Sequence, residues 1–224
     1  MQTVAIAIFN KQWILDARKC LYWPEQSCLI VSDLHLEKAK TLNQTHPIPC
    51  YDSIDTLQRL ESVINDYKPE TLISLGDSFH TALSAKTLSP TLLAQINHLC
   101  AKVTTWYWIL GNHDPKLPDT IQGHCIDTLS IADITFSHQP LDSTAYPFQV
   151  CGHYHPKIRV KLGMQKTTGA CFIHSDQLFI MPAMGTFTGG LNIDDPSISK
   201  LITPKQRSVY LINNHKLWPM STKP

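Results

Sequence analysis

The chain has 224 residues, 43% hydrophobic and 17% charged, a balance that excludes long-range disorder. At ~150 residues per domain the length allows one generous domain or two small ones. The 19 Lys and Arg against 18 Asp and Glu leave a formal charge of +1, so nucleic acid would have to be held by a local patch, not by a global basic field.

In chain order, residues 4–9, 20–23 and 28–31 read as strands. Residues 54–67 carry Ile54, Leu57, Leu60 and Ile64 at helical spacing. Residues 71–75 are a strand, 88–99 a helix with Pro90 near its start, and 106–110 a strand. Two more strands are expected over 131–136 and 148–151. Beyond Lys157 the chain turns β-rich, at 171–173, 178–181 and 209–212. Strand–helix alternation followed by a strand-rich end predicts a layered α/β architecture, and without repeats or a linker the reading is a single domain over 1–224. No apolar run is long enough to span a membrane. The opening MQTVAIAIFNKQ lacks the pattern of a secretory signal. The seven Cys are scattered, with no CxxC pair, which suits reduced thiols and a cytoplasmic location.

The polar residues that follow the strands carry the functional signal. Ser32-Asp33-Leu34-His35 follows the strand at 28–31. Gly76-Asp77 follows 71–75, and Gly111-Asn112-His113-Asp114 follows 106–110. His138 follows the strand that ends near Ser137, and Gly152-His153-Tyr154-His155 follows 148–151. Ligands of open α/β sheets bind beyond the carboxyl ends of strands, so these side chains could share one crevice. Imidazole with carboxylate and amide oxygen suits Mn, Fe, Zn or Co better than Ca or Mg. One Asp or His in a loop is ordinarily a solvated or capping residue. Five strand ends bearing ligand types in the same sense are hard to reach by chance.

Together, DLH at 33–35, GD at 76–77, GNHD at 111–114, His138 and GHYH at 152–155 resemble the signature of the calcineurin-like metallophosphoesterases. LYWPE at 21–25, SHQP at 137–140, GHYHP at 152–156 and MPAMGTFTGG at 181–190 are similar to the bacterial ligase-associated DNA damage response endonucleases of the PdeM type. The resemblance implies a four-layer αββα sandwich with two mixed sheets. It implies two divalent ions, most simply Mn²⁺, one held by Asp33, His35, Asp77 and His155 and the other by Asp77, Asn112, His138 and His153. His113 would be the catalytic histidine outside the ligand set. It further implies DNA as substrate and a ligase, helicase or exonuclease as partners. GDSFHTA at 76–82 lacks the Arg of the phosphoprotein phosphatases, and His113 stands where lipid-A pathway pyrophosphatases carry Arg. Glu37 stands where a small residue is expected.

Two divalent ions less the charges of Asp33 and Asp77 leave a positive centre that suits a phosphodiester, and two such ions can clamp a phosphate for in-line displacement. His113 has the chemistry to protonate a leaving alkoxide, with Asp114 as a candidate to orient it and His80 as a second proton donor or phosphate contact. Lys157, Arg159 and Lys161 alternate after His155 and would share one face of a strand, where they could hold a DNA backbone. An ordinary solvated strand face is the competing reading. Lys38 and Lys40 give a weaker hint. Trp106 and Trp108 read as core. The expectation is therefore a binuclear-metal phosphodiesterase acting as a DNA repair endonuclease. The rivals are a metallophosphoesterase for a small nucleotide or phosphoester, and a non-catalytic metal-stabilised scaffold.

Overall fold

In this computed structural model residues 2–42, 51–162 and 165–220 are described. Seven strands form one sheet in sequence order: β1 (Thr3–Ile8), β2 (Lys11–Asp16), β3 (Cys20–Trp23), β4 (Cys28–Val31), β5 (Thr71–Leu75), β6 (Thr105–Ile109) and β7 (His124–Ile126). Later strands are β8 (Thr128–Ile131), β9 (Ile134–Ser137), β10 (Gln149–Cys151), β11 (Lys157–Leu162), β12 (Gln165–His174), β13 (Leu178–Ile180), β14 (Ser208–Asn213) and β15 (Lys216–Met220). They form a second sheet ordered β15-β14-β12-β13-β10-β9-β8, with β11 paired to β12 beside that path. The helices are α1 (Lys38–Leu42), α2 (Asp52–Tyr67), α3 (Ala82–Lys86), α4 (Pro90–Cys100) and α5 (Pro196–Ser199).

The period-2 alternation of the strands sorts side chains between two cores. On β4, Leu29 and Val31 pack under the apolar stripes of α2 and α4, with Leu57, Leu60, Ile96 and Leu99. Cys28 and Ile30 face the other way and meet the second sheet, where Phe136, Val150, Phe172 and Phe179 complete the inter-sheet core. The far face of the second sheet buries Cys171, Ile173, Ile180 and Val209 beneath Ile193, Ile198 and Ile202. The result is a four-layer αββα sandwich whose second outer layer is thin, consisting of α5 and the chain around it. Helix α4 starts two residues later than predicted. Leu88 precedes the cap, Ser89 accepts from the Leu92 amide, and Pro90 occupies the first turn, where its missing N–H is harmless.

Three differences from the sequence reading have local causes. β2 was not predicted. It forms a hairpin with β1 through Phe9 and Asn10, both with φ of 54°, the positive values that two-residue hairpin turns need. The run at 131–136 is two strands, not one: the chain reverses at Ala132-Asp133, a turn without a glycine signal. β7 and β15 were also missed, the first because its three residues are too short to show a period.

What the topology gives to function is direction. β4, β5, β6 and β7 run parallel, as do β9, β10 and β13. Their carboxyl ends therefore open at common edges. The two edges are joined by amides of the second sheet's 181–190 segment, Met184 donating to the Ser32 carbonyl at 2.8 Å and Gly185 to that of Asp33 at 3.1 Å.

Candidate metal centre

The loops beyond β4, β5, β6, β9 and β10 bring Asp33, His35, Asp77, Asn112, His113, His138, His153 and His155 together. Each aspartate has one oxygen fixed from a different loop. Asp33 Oδ2 accepts from the His153 amide at 3.0 Å and from the Ser32 hydroxyl. Asp77 Oδ1 accepts from the His113 amide at 2.9 Å. The other oxygens face the histidines. Asp33 Oδ1 lies 3.0 Å from His155 Nε2, and Asp77 Oδ2 lies 3.9 Å from His35 Nε2 and 3.4 Å from His138 Nε2. His138 Nε2 also lies 3.0 Å from Asn112 Oδ1 and 3.1 Å from His153 Nδ1.

Two groups of donor atoms emerge, Asp33 with His35 and His155, and Asp77 with His138 and His153, each within 4.8 Å. Asp77 Oδ2 sits between them. The donors fit a cation pair. In each group two imidazole nitrogens face each other at 3.3 Å and 3.1 Å, and at most one proton can lie between such a pair. The ring tautomer is set from behind at His138, whose Nδ1 lies 2.8 Å from the Leu75 carbonyl and must donate to it, leaving Nε2 to the centre. Backbone carbonyls and amides from other loops thus aim lone pairs at two points.

The backbone bends sharply to do this. Asp33, His35, Asp77, His153 and His155 all have φ between 44° and 70°. This left-handed region is sparse for non-glycine residues, of order 1 kcal/mol or more each, but Asp, Asn and His enter it most readily. Gly76 (φ 78°), Gly111 and Gly152 make close approaches, since a Cβ on Gly76 would overlap the His138 ring, one on Gly111 the Asp77 carboxylate, and one on Gly152 Ser32 and Asp33.

Electrostatics matches the geometry. Burial alone would raise the Asp77 carboxyl, but the hydrogen bond and charge of His138 and the His113 amide outweigh it and hold it at about 2. Burial likewise works against Asp33, and the neighbouring histidines, His155 first, bring it below its usual value. His35 is pushed down to about 3, first by burial. His138 goes the other way: burial would lower it, but Asp77, Asp33 and the Leu75 carbonyl raise it to about 9. Without a metal, the strongest field of the centre thus falls on one ring nitrogen.

His113 stands at the open side of the centre, its side chain 41% exposed. Its Nδ1 lies 2.8 Å from the His80 carbonyl, which can only accept, so Nε2 faces inward, 4.0 Å from Asp77 Oδ2. The His80 ring stacks on His113, centroids 5.4 Å apart and planes at 21°. Asp114 departs from the sequence reading. It does not orient the His113 ring, because its carboxylate is buried behind the centre, accepting from the amides of Asp77 (3.1 Å), Gly111 (3.0 Å) and Phe79 (3.1 Å). The partner of His113 is a backbone carbonyl, which no residue type announces. Burial raises the Asp114 carboxyl to about 6.

The cationic strand is β11. Lys157 is half-buried and reaches the Thr188 carbonyl at 3.3 Å, while Arg159 and Lys161 are exposed further along the same face. Glu37 turns away from the centre, its amide and carboxylate on Ser53 and its other oxygen 3.2 Å from Lys40. That pair removes Lys40 as a free phosphate contact. Trp106 and Trp108 are core, buried and stacked on each other at 4.6 Å.

The calcineurin-like phosphoesterase family model matches residues 27–136. Among solved structures, the chain is similar to Pseudomonas putida nuclease MPE, at 26% identity and TM-score 0.77 over 97% of this chain and 100% of that one. Weaker likeness, at 13% identity and TM-score 0.39, covers 88% of this chain and 99% of Yfce, a phosphoesterase from E. coli. No curated protein matches the chain. Residues 27–136 match the calcineurin-like phosphoesterase family, their donors Asp33, His35 and Asp77 meet His138, His153 and His155 in two groups, and the chain is a metal-dependent phosphoesterase.

Proposed function

We propose that the protein is a DNA endonuclease that hydrolyses phosphodiester bonds in DNA repair. The observation that carries this reading is the row Lys157, Arg159 and Lys161, which leaves the centre from His155 with no carboxylate paired to it among the described residues. Unpaired cations in register beside a metal centre suit a polyanion that extends past the scissile phosphate. Likeness to a nuclease along nearly the whole chain supports the same reading. Manganese as resident ion, a cytoplasmic location and a ligase, helicase or exonuclease as partners belong to this proposal and rest on the resemblance of the sequence motifs. Among the described residues no helix is long and apolar enough to cross a membrane.

The residues fit two divalent ions, one held by Asp33, His35, Asp77 and His155 and one by Asp77, Asn112, His138 and His153. When bound, such a pair polarises a phosphoryl oxygen and makes water a competent nucleophile near neutral pH. The chain's own residues do the rest. Asp77 would serve both positions, Asn112 and His138 would hold the second, and His113 turns Nε2 toward a leaving oxygen while the His80 carbonyl holds the ring.

Arg159→Glu with Lys161→Glu tests the substrate class. Single-stranded or nicked DNA should bind about tenfold or more weakly, and the slope of log affinity against log salt should shrink by about one to two. Equal affinity and slope in the double variant, with hydrolysis of a small chromogenic diester intact, would point instead to a small phosphoester.

A further inference from the structure

Next to the metal centre lies a cavity of about 260 Å³ with no carboxylate in its lining. His155, a metal-site residue, forms part of its wall, so the two spaces adjoin. Lys19 enters from the turn between β2 and β3, Lys157 from the start of β11. Thr168 of β12 supplies a hydroxyl, while Thr186 and Thr188 of the 185–190 loop line the wall with their hydroxyls donated to Asp55 and to the Gly185 carbonyl. The two cations come from chain segments far apart in sequence, and no hydrogen bond or ion pair engages the Lys19 amine among the described residues. The nearby acid, Asp55, is already engaged by Arg59 at 2.8 Å and by the Thr186 hydroxyl. Gly190, with φ of 152°, lets the loop close over Lys157: a Cβ there would lie 3.0 Å from Lys157 Cε and overlap the His155 carbonyl.

Two ammonium groups in one half-buried cavity whose lining holds no carboxylate are unfavourable unless an anion joins them. The amine of Lys19 shows that pressure. Burial, with the charges of Arg59 and Lys157, brings it down to about 8.

We infer that this cavity is an anion subsite, in which Lys19 and Lys157, with the Thr168 hydroxyl, hold a second phosphate of the substrate, next to the one at the metals. The inference rests on the phosphodiesterase reading above and narrows it. The preferred substrates are those with a phosphate adjoining the scissile bond, such as oligonucleotides or phosphate-terminated dinucleotides, over diesters that carry one phosphate only. Two lysines give geometry-tolerant point charges, which suits a backbone whose sugar and base vary.

Two measurements test it. Crystals of the manganese-loaded protein soaked in tungstate, a phosphate stand-in, should show anomalous peaks at the metal centre and between Lys19 and Lys157. A peak at the centre alone overturns the subsite and leaves the phosphodiesterase reading in place. In turnover, the wild type should cleave a phosphate-terminated thymidine dinucleotide with a lower KM than the unphosphorylated one. Lys19→Met, which keeps the length of the stem, should reduce that preference about tenfold, as loss of one charged hydrogen bond does. An undiminished preference in the variant also overturns the proposal. A tungstate peak in the cavity with no cleavage of either dinucleotide would instead sink the nuclease reading and keep the anion site.

Discussion

At the scale of single residues, His113 and Asp114 are adjacent and do opposite work. The imidazole faces the open side of the centre and touches no other ring nitrogen at bonding distance, so it can be removed without removing a metal donor. His113→Ala should keep both ions by elemental analysis and lower kcat about 100-fold or more, the usual weight of a positioned proton donor. Turnover near the wild-type level would take His113 out of the mechanism. Asp114 instead ties three loop amides together behind the centre. Asn in its place has one accepting oxygen where the carboxylate had two, and its NH₂ would face an amide donor. Asp114→Asn should therefore destabilise the fold by about 1–3 kcal/mol, with a lower Tm and weaker metal retention. An unchanged Tm would show that those amides find other acceptors. The clustering of these donors was legible at this scale because Asp, Asn and His are the residue types that both bind metals and accept left-handed backbone. The partner of His113 and the task of Asp114 were not, since both run through main-chain atoms.

The element that matters most is the strand end. β4, β5 and β6 lie in register and parallel, so three unrelated stretches of sequence stop at one level and deliver donors to one place. This was legible, since short apolar runs ending in Gly, Asp or His show both the strand and its direction. Edge elements were less so. β2 alternates imperfectly, and the hairpin at Ala132-Asp133 has no glycine to mark it. The strand-end turns also make a prediction. Gly76→Ala would press a methyl group into the His138 ring and would sit at an unfavourable φ. Binding of the ion at Asp77, Asn112, His138 and His153 should weaken selectively, seen as about half the metal content at limiting manganese. Full content at both positions would mean that the His138 ring can move aside.

For the whole molecule, the centre ties stability to pH. His138 is raised to about 9 from 6.5. Its contribution is complete below about pH 6.5 and is lost as pH rises through 9. His35 is lowered to about 3 from 6.5, so its neutral burial favours the fold above 6.5 and works against it as pH falls toward 3. Asp77, lowered to about 2 from 3.8, adds stability above 3.8 that disappears as pH falls through 2. Metal-free protein should therefore be most resistant to urea near pH 6 to 7 and weaken on both sides. Manganese should abolish the alkaline loss, because the ion replaces the proton on His138. A urea midpoint that keeps rising to pH 9 without metal would contradict this assignment.

The left-handed backbone at Asp33, His35, Asp77, His153 and His155 has a practical consequence for anyone dissecting the centre by mutagenesis. A valine or threonine there forces a branched side chain into a conformation it resists, so lost activity would mix a missing donor with a deformed turn. Glycine accepts the same dihedral angles and carries no donor, so it separates the two effects. A knockout series built on glycine therefore measures coordination, while one built on branched residues measures the turn as well.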